Sequence, residues 1–286
     1  MVRENKAISP RESILVDGHV HIHRCFDLRA LFESAQHNFR NAAGTLRLGR
    51  RFSAVLLLTE SQSANYFSSL LQKATDKSSL DGWRFQPTLE PASLIAISPA
   101  GFELTLIAGR QIVTAEGLEV LATCTDELFD DGGMIFEVID SISAANGIAI
   151  VPWGFGKWTG RRKKVINRLM GNFAERAFHL GDNSGRISVW REPSQFRRAR
   201  SQGQRIFRGT DPMPFPGQET RVGSFGFHIN GPFSKSRPTT SMRSLLSSGS
   251  IQPTSYGALE SPMVFIKHQL KMQTQKWRRK IRSNTT

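Results

Sequence analysis

The stretch Asp17-Gly18-His19-Val20-His21-Ile22-His23 follows the apolar residues 14–16, a pattern that predicts the end of the first buried strand. Because successive side chains of a strand point to opposite faces, the aspartate and the three histidines of this stretch share one face. Imidazole nitrogens and a carboxylate that converge from a rigid element are suitable ligands for a divalent metal. The stretch therefore predicts a metal site. The alternative is a set of histidines that form hydrogen bonds at a strand end without metal.

Length and composition exclude several classes of protein. The chain has 286 residues, of which 39% are hydrophobic, and this suits one large α/β domain or two smaller ones. No uninterrupted apolar run approaches the roughly 20 residues of a membrane span, and residues 1–10 lack the apolar segment of a secretory signal. Cys25 and Cys124 cannot build a disulfide framework and match no zinc motif. We therefore expect a cytoplasmic protein.

Positive charge is concentrated in the second half of the chain. Residues 1–150 hold 13 Lys and Arg against 18 Asp and Glu, whereas residues 151–286 hold 25 against 6. The asymmetry predicts a polyanion, an anionic membrane surface or a phosphorylated substrate as partner, with solvated helix faces as the alternative. No specific nucleic-acid module is recognisable in the sequence.

Helical and strand patterns alternate along most of the chain. Helices are predicted at 28–39, 64–74, 135–145, 162–173, 194–202 and 264–281, and strands at 54–59, 83–89, 94–97, 102–108, 118–122, 148–151, 177–180 and 205–207. This alternation indicates an α/β fold with parallel strands and helices outside them, in a barrel or an open sheet.

Carboxylates follow several predicted strands, at the ends where α/β folds collect their chemistry. Glu60 follows strand 54–59, Asp182 follows strand 177–180 and Asp211 follows strand 205–207, whereas Glu119 lies near the start of strand 118–122. A single carboxylate in such a place is commonly a helix cap or a turn former. Several of them beside a histidine cluster favour a shared site.

Three short motifs occur in the order Asp17-Gly18-His19-Val20-His21, Gly117-Leu118-Glu119 and Gly209-Thr210-Asp211-Pro212. This order resembles the PHP (polymerase and histidinol phosphatase) superfamily, and the resemblance covers most of residues 14–220. It implies a distorted TIM-like β/α barrel of about seven strands that binds up to three divalent metals (Zn, Mn or Fe) and hydrolyses phosphoesters.

The resemblance also implies roles for individual residues. His19 and His21 correspond to the first pair of metal ligands, and Glu119 corresponds to a bridging carboxylate. Asp211 corresponds to the aspartate of the last motif, where it would act as a ligand or as the base that accepts a proton from water. We therefore expect Glu119 and Asp211 to be the catalytic carboxylates of a metal-dependent hydrolase.

Three histidines of the family pattern are missing from this chain. Where the family has Thr-Asp-His, this chain has Thr59-Glu60-Ser61. Where the family has Ala-His-Pro and Asp-x-His, this chain has Val151-Pro152-Trp153 and Asp211-Pro212-Met213. A one- or two-metal site is therefore expected rather than a trinuclear one. Additional ligands would come from other side chains of matching chemistry: Asp17, His23, Glu60, His179 and Asp182.

A small anionic or phosphorylated substrate would be held by cations beyond the metal site. The candidates are Lys157, Arg161, Arg186 and Arg221, although surface charge or loop anchoring is an equal reading for the last two. The expected organisation is an N-terminal extension (1–12), a PHP-like hydrolase barrel (13–229), a Ser/Gly/Pro-rich connection (230–257), and a basic C-terminal helix and tail (258–286).

Two alternatives to this function remain open at the level of sequence. The missing histidines favour a metal-free barrel that acts as a binding or regulatory module. The amidohydrolase superfamily also begins with His-x-His on its first strand, but its later histidines and its lysine have no clear match here. The basic half could in addition dock on nucleic acid or an anionic membrane, and this is compatible with each of the functions above.

Overall fold

The computed structural model describes residues 11–49, 51–172, 177–249 and 251–283. Of the expected N-terminal extension, residues 1–10 lie outside this part of the chain, and residues 11 and 12 already belong to the first strand. The described residues form thirteen strands, seven α-helices and a short 3-10 helix at Gln218–Arg221.

The strands alternate with the helices through most of the chain. The strands are β1 (Arg11–Val20), β2 (Ser53–Leu58), β3 (Ser79–Leu80), β4 (Trp83–Pro87), β5 (Ser93–Ile97), β6 (Glu103–Ile107), β7 (Gly109–Val113), β8 (Glu119–Thr123), β9 (Ile148–Pro152), β10 (Phe178–Asn183), β11 (Ile206–Gly209), β12 (Gly226–Pro232) and β13 (Thr254–Tyr256). The helices are α1 (Leu28–Thr45), α2 (Tyr66–Thr75), α3 (Ile135–Ala144), α4 (Gly160–Gly171), α5 (Ser194–Ser201), α6 (Pro238–Ser247) and α7 (Pro262–Ser283).

Two mixed sheets contain all thirteen strands. The first sheet has the order β13-β12-β1-β2-β6-β5-β4-β3, and the second has the order β11-β10-β9-β8-β7. Strands β1, β2 and β6 are parallel, as are β9, β10 and β11, whereas the remaining pairs are antiparallel. The expected α/β class is confirmed, and the expected parallel pairing is found for these two groups of strands but not for the other described pairs. Tight turns such as Asp81-Gly82, with φ of 48° and 86°, join neighbouring strands as hairpins.

An apolar layer shared by both sheets forms the centre of the molecule. Val16 and Val55 of the first sheet and Leu121 and Ile150 of the second sheet belong to it. Side chains at these positions are almost completely buried. Full burial of one such side chain stabilises the folded state by about 1.5–3 kcal/mol relative to exposure. Contacts within this layer therefore hold the two sheets together.

The sheets also touch at two edges. Beyond β2, the Glu60 N–H donates to the Gly109 carbonyl of β7 over 3.1 Å, and beyond β11 the Asp211 N–H donates to the His19 carbonyl of β1 over 2.8 Å. These edges are joined by a few hydrogen bonds and not by a strand ladder. The strands described here therefore make no closed barrel, and the predicted TIM-like barrel of about seven strands is not found.

Residues 230–257 do not form the connection that their composition predicts. They include the end of β12, the whole of α6 and β13. Pro238 lies in the first turn of α6, where proline is well tolerated. Met242, Leu245 and Leu246 of this helix are buried in the layer between the sheets. The many Ser, Gly and Pro residues masked the helical spacing of these three apolar side chains.

The basic C-terminal helix predicted from the sequence is present as α7. It buries Phe265 and His268 against the rest of the molecule. The side chains from residue 275 onward, and with them the basic cluster at 276–282, lie outside the part that the structure describes. Of the helices in the described segments, none is long and apolar enough to cross a membrane.

The Asp17 side chain is fully buried near the end of β1 and joins three parts of the chain. Its Oδ1 accepts hydrogen bonds from the N–H groups of Thr210 (2.8 Å) and His19 (3.3 Å). Its Oδ2 accepts from the Thr210 hydroxyl (2.6 Å) and the Gly223 N–H (2.9 Å). Burial raises the pKa of Asp17 to about 6, although these hydrogen bonds lower it in part. A carboxylate has about four acceptor positions, so Asp17 is a structural group and not a metal ligand.

Replacement of this carboxylate by an amide is expected to destabilise the fold. In Asp17→Asn, an NH2 group would face N–H and O–H donors, so at least one buried donor loses its acceptor, at a cost of about 1–3 kcal/mol. The measurement is the urea midpoint of unfolding at pH 7. Asp126→Asn is the matched control, because Asp126 is exposed and its change should stay within about 0.5 kcal/mol. Equal midpoints for both variants would contradict the structural role of Asp17.

Candidate metal centre

His19, His21 and Asp211 converge where β1 and β11 end. His19 is the residue before the last one of β1, and His21 is the first residue after that strand. Asp211 comes two residues after β11. One ligand atom from each of the three residues lies within 4.8 Å of the others. The sequence predicted all three as metal ligands, and the structure brings these three together.

The separations within this group suit a metal ion. The Nε2 atoms of His19 and His21 are 3.0 Å apart, and each lies 3.6 Å from Oδ1 of Asp211. A point about 2.0 Å from all three atoms lies inside this triangle, and roughly 2.0–2.2 Å is the distance from zinc to imidazole nitrogen or carboxylate oxygen. The donor set of two imidazoles and one carboxylate therefore fits a Zn, Mn or Fe cation.

Gln111 is a fourth member of the centre that the sequence did not reveal. Its Oε1 lies 3.2 Å from Nε2 of both His19 and His21. Gln111 belongs to β7, which lies between the predicted strands 102–108 and 118–122 and is not itself predicted from the sequence. A Cβ at Gly109 would come within 2.5 Å of the Leu58 carbonyl oxygen, so only glycine lets β7 approach β2 here.

Asn183, at the end of β10, orients Asp211. The Asn183 Nδ2 donates hydrogen bonds of 2.8 Å to Oδ2 of Asp211 and of 2.8 Å to the Trp153 carbonyl. Asp211 has a φ of 48°, a left-handed conformation that aspartate tolerates better than most residues. Its Oδ1 consequently faces the histidines while Oδ2 is held by Asn183. The position of Asn183 at a strand end was the signal in the sequence, but its role required the fold.

Burial sets the protonation states of the centre. Burial lowers the pKa of His21 to about 3, and the charge of His19 acts in the same direction. Burial also lowers the pKa of His23. For Asp211, burial raises the pKa, but the electrostatic interactions with His19, His21 and Lys157 outweigh it and leave the pKa below its usual value. His21 and His23 are therefore neutral and Asp211 is ionised near pH 7, as metal ligation requires.

Glu119 lies outside this group. It forms an ion pair with Lys157, whose ammonium charge also acts on Asp211. Glu119 is the first residue of β8, and β8 runs antiparallel to β9, which places Glu119 at the same end of the sheet as Lys157. The bridging carboxylate implied by the family resemblance is thus engaged by a lysine in this chain.

The other expected ligands have different partners. Glu60 accepts a hydrogen bond from the Phe67 N–H at 2.8 Å and lies 3.5 Å from Arg110. Asp182 forms a two-pronged ion pair with Arg186, with both distances 2.9 Å. His179 lies near the opposite, N-terminal end of β10, against Phe207. None of these three side chains belongs to the cluster of His19, His21 and Asp211 in the described structure.

His23 is the remaining neighbour of the centre. Its ring stacks on that of His21 with centroids 5.4 Å apart, and its Nε2 lies 3.0 Å from the Pro212 carbonyl. It therefore holds the segment after Asp211 against the end of β1. His23 also lines a cavity of 690 Å³ together with residues of the segments after β1 and β2, namely Ile22, Arg24, Ser61, Asn65 and Tyr66. Because His23 also contacts His21, this cavity adjoins the three ligands.

The four expected phosphate-binding cations have unequal access to a ligand. Arg186 is buried and paired with Asp182, and Arg221 is paired with Glu260. Both act within the protein, which corrects their assignment to substrate binding. Lys157 is about one-third exposed although it contacts Glu119, and Arg161 is exposed in the first turn of α4. Of these four cations, Lys157 is the one whose charge acts on Asp211.

Comparison with known proteins identifies similar folds. No protein-family model matches the chain, and no curated protein matches it. The fold is similar to that of PsfC from Pseudomonas syringae PB-5123, with a TM-score of 0.58 and 13% identity over 93% of this chain and 99% of that one. It is also similar to the lesion-specific endonuclease PfuEndoQ from Pyrococcus furiosus, with a TM-score of 0.51 and 9% identity over 86% of this chain.

The chain spans 59% of the length of that endonuclease. At these identities the similarity establishes the fold alone.

The neutral state of His21 predicts a pH dependence of stability in the metal-free protein. Between pH 6.5 and about 3, unfolded His21 binds a proton that the folded state excludes, so the free energy of unfolding should fall as the pH is lowered through this range. His21→Gln should reduce that fall by up to about 1.4 kcal/mol per pH unit. Urea unfolding in the presence of a chelator at pH 7, 6 and 5 measures it.

His37→Gln is the control for this measurement, because His37 is exposed on α1. It should follow the wild-type pH profile. The raised pKa of Asp17 contributes an opposite trend to all three proteins and cancels in the comparison. Parallel profiles for wild type and His21→Gln would show that His21 is not held neutral by burial.

Proposed function

We propose that the protein is a metal-dependent hydrolase of the phosphoesterase type, with a centre built from His19, His21 and Asp211. The observation that carries the proposal is the convergence of their three ligand atoms within 4.8 Å at the strand ends. A divalent cation there, Zn, Mn or Fe, would make water nucleophilic near neutral pH and polarise a phosphoryl oxygen. The described residues contain one such cluster, and this favours one metal over a binuclear arrangement.

Individual residues would ligate the cation, accept a proton and orient Lys157. The two buried imidazoles and the Oδ1 of Asp211 would hold the cation, and the Gln111 amide oxygen lies close enough to both imidazoles to be a fourth donor. Oδ2 of Asp211, which accepts a hydrogen bond from Asn183, would be the group that accepts a proton from water. Glu119 acts in this scheme by orienting Lys157 and does not ligate the metal.

An anionic substrate suits the mouth of this centre. Lys157 is partly exposed there, and the exposed Arg24 lines the adjoining cavity of 690 Å³. These cations would attract a phosphate group and place it against the three ligands. The fold similarity to an endonuclease, an enzyme that breaks phosphoester bonds, supports the same class of bond here. The basic second half of the chain would favour phosphorylated or polyanionic substrates over neutral ones.

A metal-free binding or regulatory module is the second candidate. It is favoured by one observation: His19, His21 and Gln111 are close enough to form a hydrogen-bonded set of their own, at 3.0 and 3.2 Å. Such a set would satisfy the buried imidazoles without a cation. The three histidines missing from the family motifs point in the same direction.

Metal analysis distinguishes the two candidates. Purified protein that has not met a chelator should contain about one equivalent of Zn, Mn or Fe, and His19→Ala/His21→Ala should contain none, because it lacks two of three ligands. Hydrolysis of a phosphoester should fall to the background rate in the double variant and in chelated wild type. Re-addition of the metal should restore activity to the wild type only.

His37→Ala is the control for the double variant and should retain both metal and activity. Circular dichroism of each protein checks that the fold persists. A wild-type protein that takes up no metal even after incubation with Zn, Mn and Fe would refute the hydrolase and leave the binding module.

The hydrogen bond from Asn183 predicts a weaker effect at the same centre. Asn183→Leu removes the donor that fixes Oδ2 of Asp211, and groups that orient a ligand typically contribute 10–100-fold, so we expect the metal affinity to fall by about that factor. Competition with a fluorescent chelator gives the affinity. Asn65→Leu, in the cavity wall away from Asp211, is the control and should leave the affinity unchanged. An unchanged affinity in Asn183→Leu would mean that Asp211 needs no support.

A further inference from the structure

A second cavity, of 480 Å³, lies at the opposite end of the second sheet from the metal centre. Phe178 and His179 at the start of β10, Arg205 just before β11, and Arg243 in α6 line it. Asp211 and the other ligands of the metal centre lie beyond the far ends of these parallel strands. The two regions therefore share no residue.

Two arginines of this cavity use only part of their hydrogen-bonding capacity. Arg205 is 6% exposed, and its Nη1 donates to the Leu246 carbonyl over 2.5 Å. The Nη2 of Arg243 donates to the Cys124 carbonyl over 2.8 Å. The buried Nε atoms of both arginines have no hydrogen-bond partner within the described structure. A guanidinium has five N–H donors, so each side chain retains donors for another group.

The cavity contains no compensating negative charge. Its lining residues include no Asp or Glu, and within the described segments no carboxylate forms an ion pair with Arg205 or Arg243. Burial alone lowers the pKa of Arg205, whereas the well-paired Arg186 has a raised pKa. Burial of a cation without a partner is costly, so a group that supplies negative charge would be stabilised here.

His179 adds a third polar group to this cavity. Its Nδ1 is buried and has no hydrogen-bond partner in the part of the chain described. Burial lowers the pKa of His179 to about 4 and the charge of Arg205 acts in the same direction, while a hydrogen bond with the Leu246 backbone opposes them in part. An anion beside it would favour the protonated ring, which donates from both nitrogens.

We propose that this cavity is a binding site for an oxyanion of the phosphate type. Phosphate oxygens accept hydrogen bonds from guanidinium forks in two-pronged geometry, and they outnumber the two oxygens of a carboxylate, which suits two arginines and a histidine. The volume of 480 Å³ exceeds what a phosphate ion needs, so the cavity also has room for the organic part of a phosphorylated metabolite. The site is independent of the proposed hydrolase activity, because none of its residues contacts the metal centre.

Calorimetric titration with inorganic phosphate tests the site. We use the full-length His19→Ala/His21→Ala protein, so that phosphate on a metal cannot contribute. One saturable site is expected. Arg205→Gln and Arg243→Gln should each weaken it by at least about tenfold, since hydrogen bonds to charged groups are among the stronger ones. Arg197→Gln removes an exposed arginine on α5 and should leave the affinity unchanged.

Titration with ribose 5-phosphate in parallel identifies the source of the oxyanion. Tighter binding than that of phosphate would show that the cavity holds an organic part, and equal or weaker binding would assign the site to free phosphate. No saturable binding of either, or equal weakening by Arg197→Gln, would overturn the proposal and reduce both arginines to caps of backbone carbonyls.

The position of the bound oxyanion is tested first on the wild-type protein, because the substitutions of Arg205 or Arg243 could prevent folding. Crystals of the wild-type protein soaked in tungstate should show an anomalous peak between Arg205 and Arg243. A peak at another place only, or none, would refute the site. Arg243→Lys keeps the charge and one donor but loses the fork, and it should bind phosphate more weakly than wild type while remaining folded.

Discussion

The buried carboxylate of Asp17 is the constraint on which the rest of the structure depends. It accepts hydrogen bonds from His19, Thr210 and Gly223, so it joins the end of β1 to the end of β11 and to the segment before β12. Thr210 directly precedes Asp211, and His19 is itself a member of the centre. Asp17 therefore fixes the backbone on both sides of the candidate metal site without ligating a metal. Burial opposes this arrangement by raising its pKa to about 6, and the hydrogen bonds offset part of that cost.

The strand β11 separates two regions of opposite character. Arg205 precedes its first residue and Asp211 follows its last by two positions, so roughly 20 Å of extended chain lies between them. At one end, a carboxylate and two imidazoles are arranged as for a cation. At the other, two arginines without carboxylate partners are arranged as for an anion. The positive charge of the second half is therefore not a uniform surface property, because arginines such as Arg186 and Arg221 are neutralised inside the fold.

Only some of the residues that the family resemblance singles out come together in the structure. His19, His21 and Asp211 come together as the motif order implies, since each lies at a strand end on the same edge of the structure. Glu119 does not join them because Lys157, a residue outside the motifs, holds it. The amide of Gln111 lies where the histidines need an oxygen neighbour. The centre is thus smaller than the trinuclear family pattern, and Gln111 and Asn183 complete it from strands that the motifs do not include.

The sequence by itself determined the local features, because periodicity, capping and burial depend on near neighbours. It predicted the α/β class, the His-x-His strand end, and α1 with Asp27 as the N-cap, whose side chain accepts hydrogen bonds from Arg29 and Ala30. Only the tertiary structure decided the pairing of strands into two sheets, the packing of α6 and the partners of the buried ions. Asp17 and Thr210 are 193 residues apart, and Arg205 and Leu246 are 41 apart. Such contacts are selected by how whole elements pack, and no local pattern of residues records them.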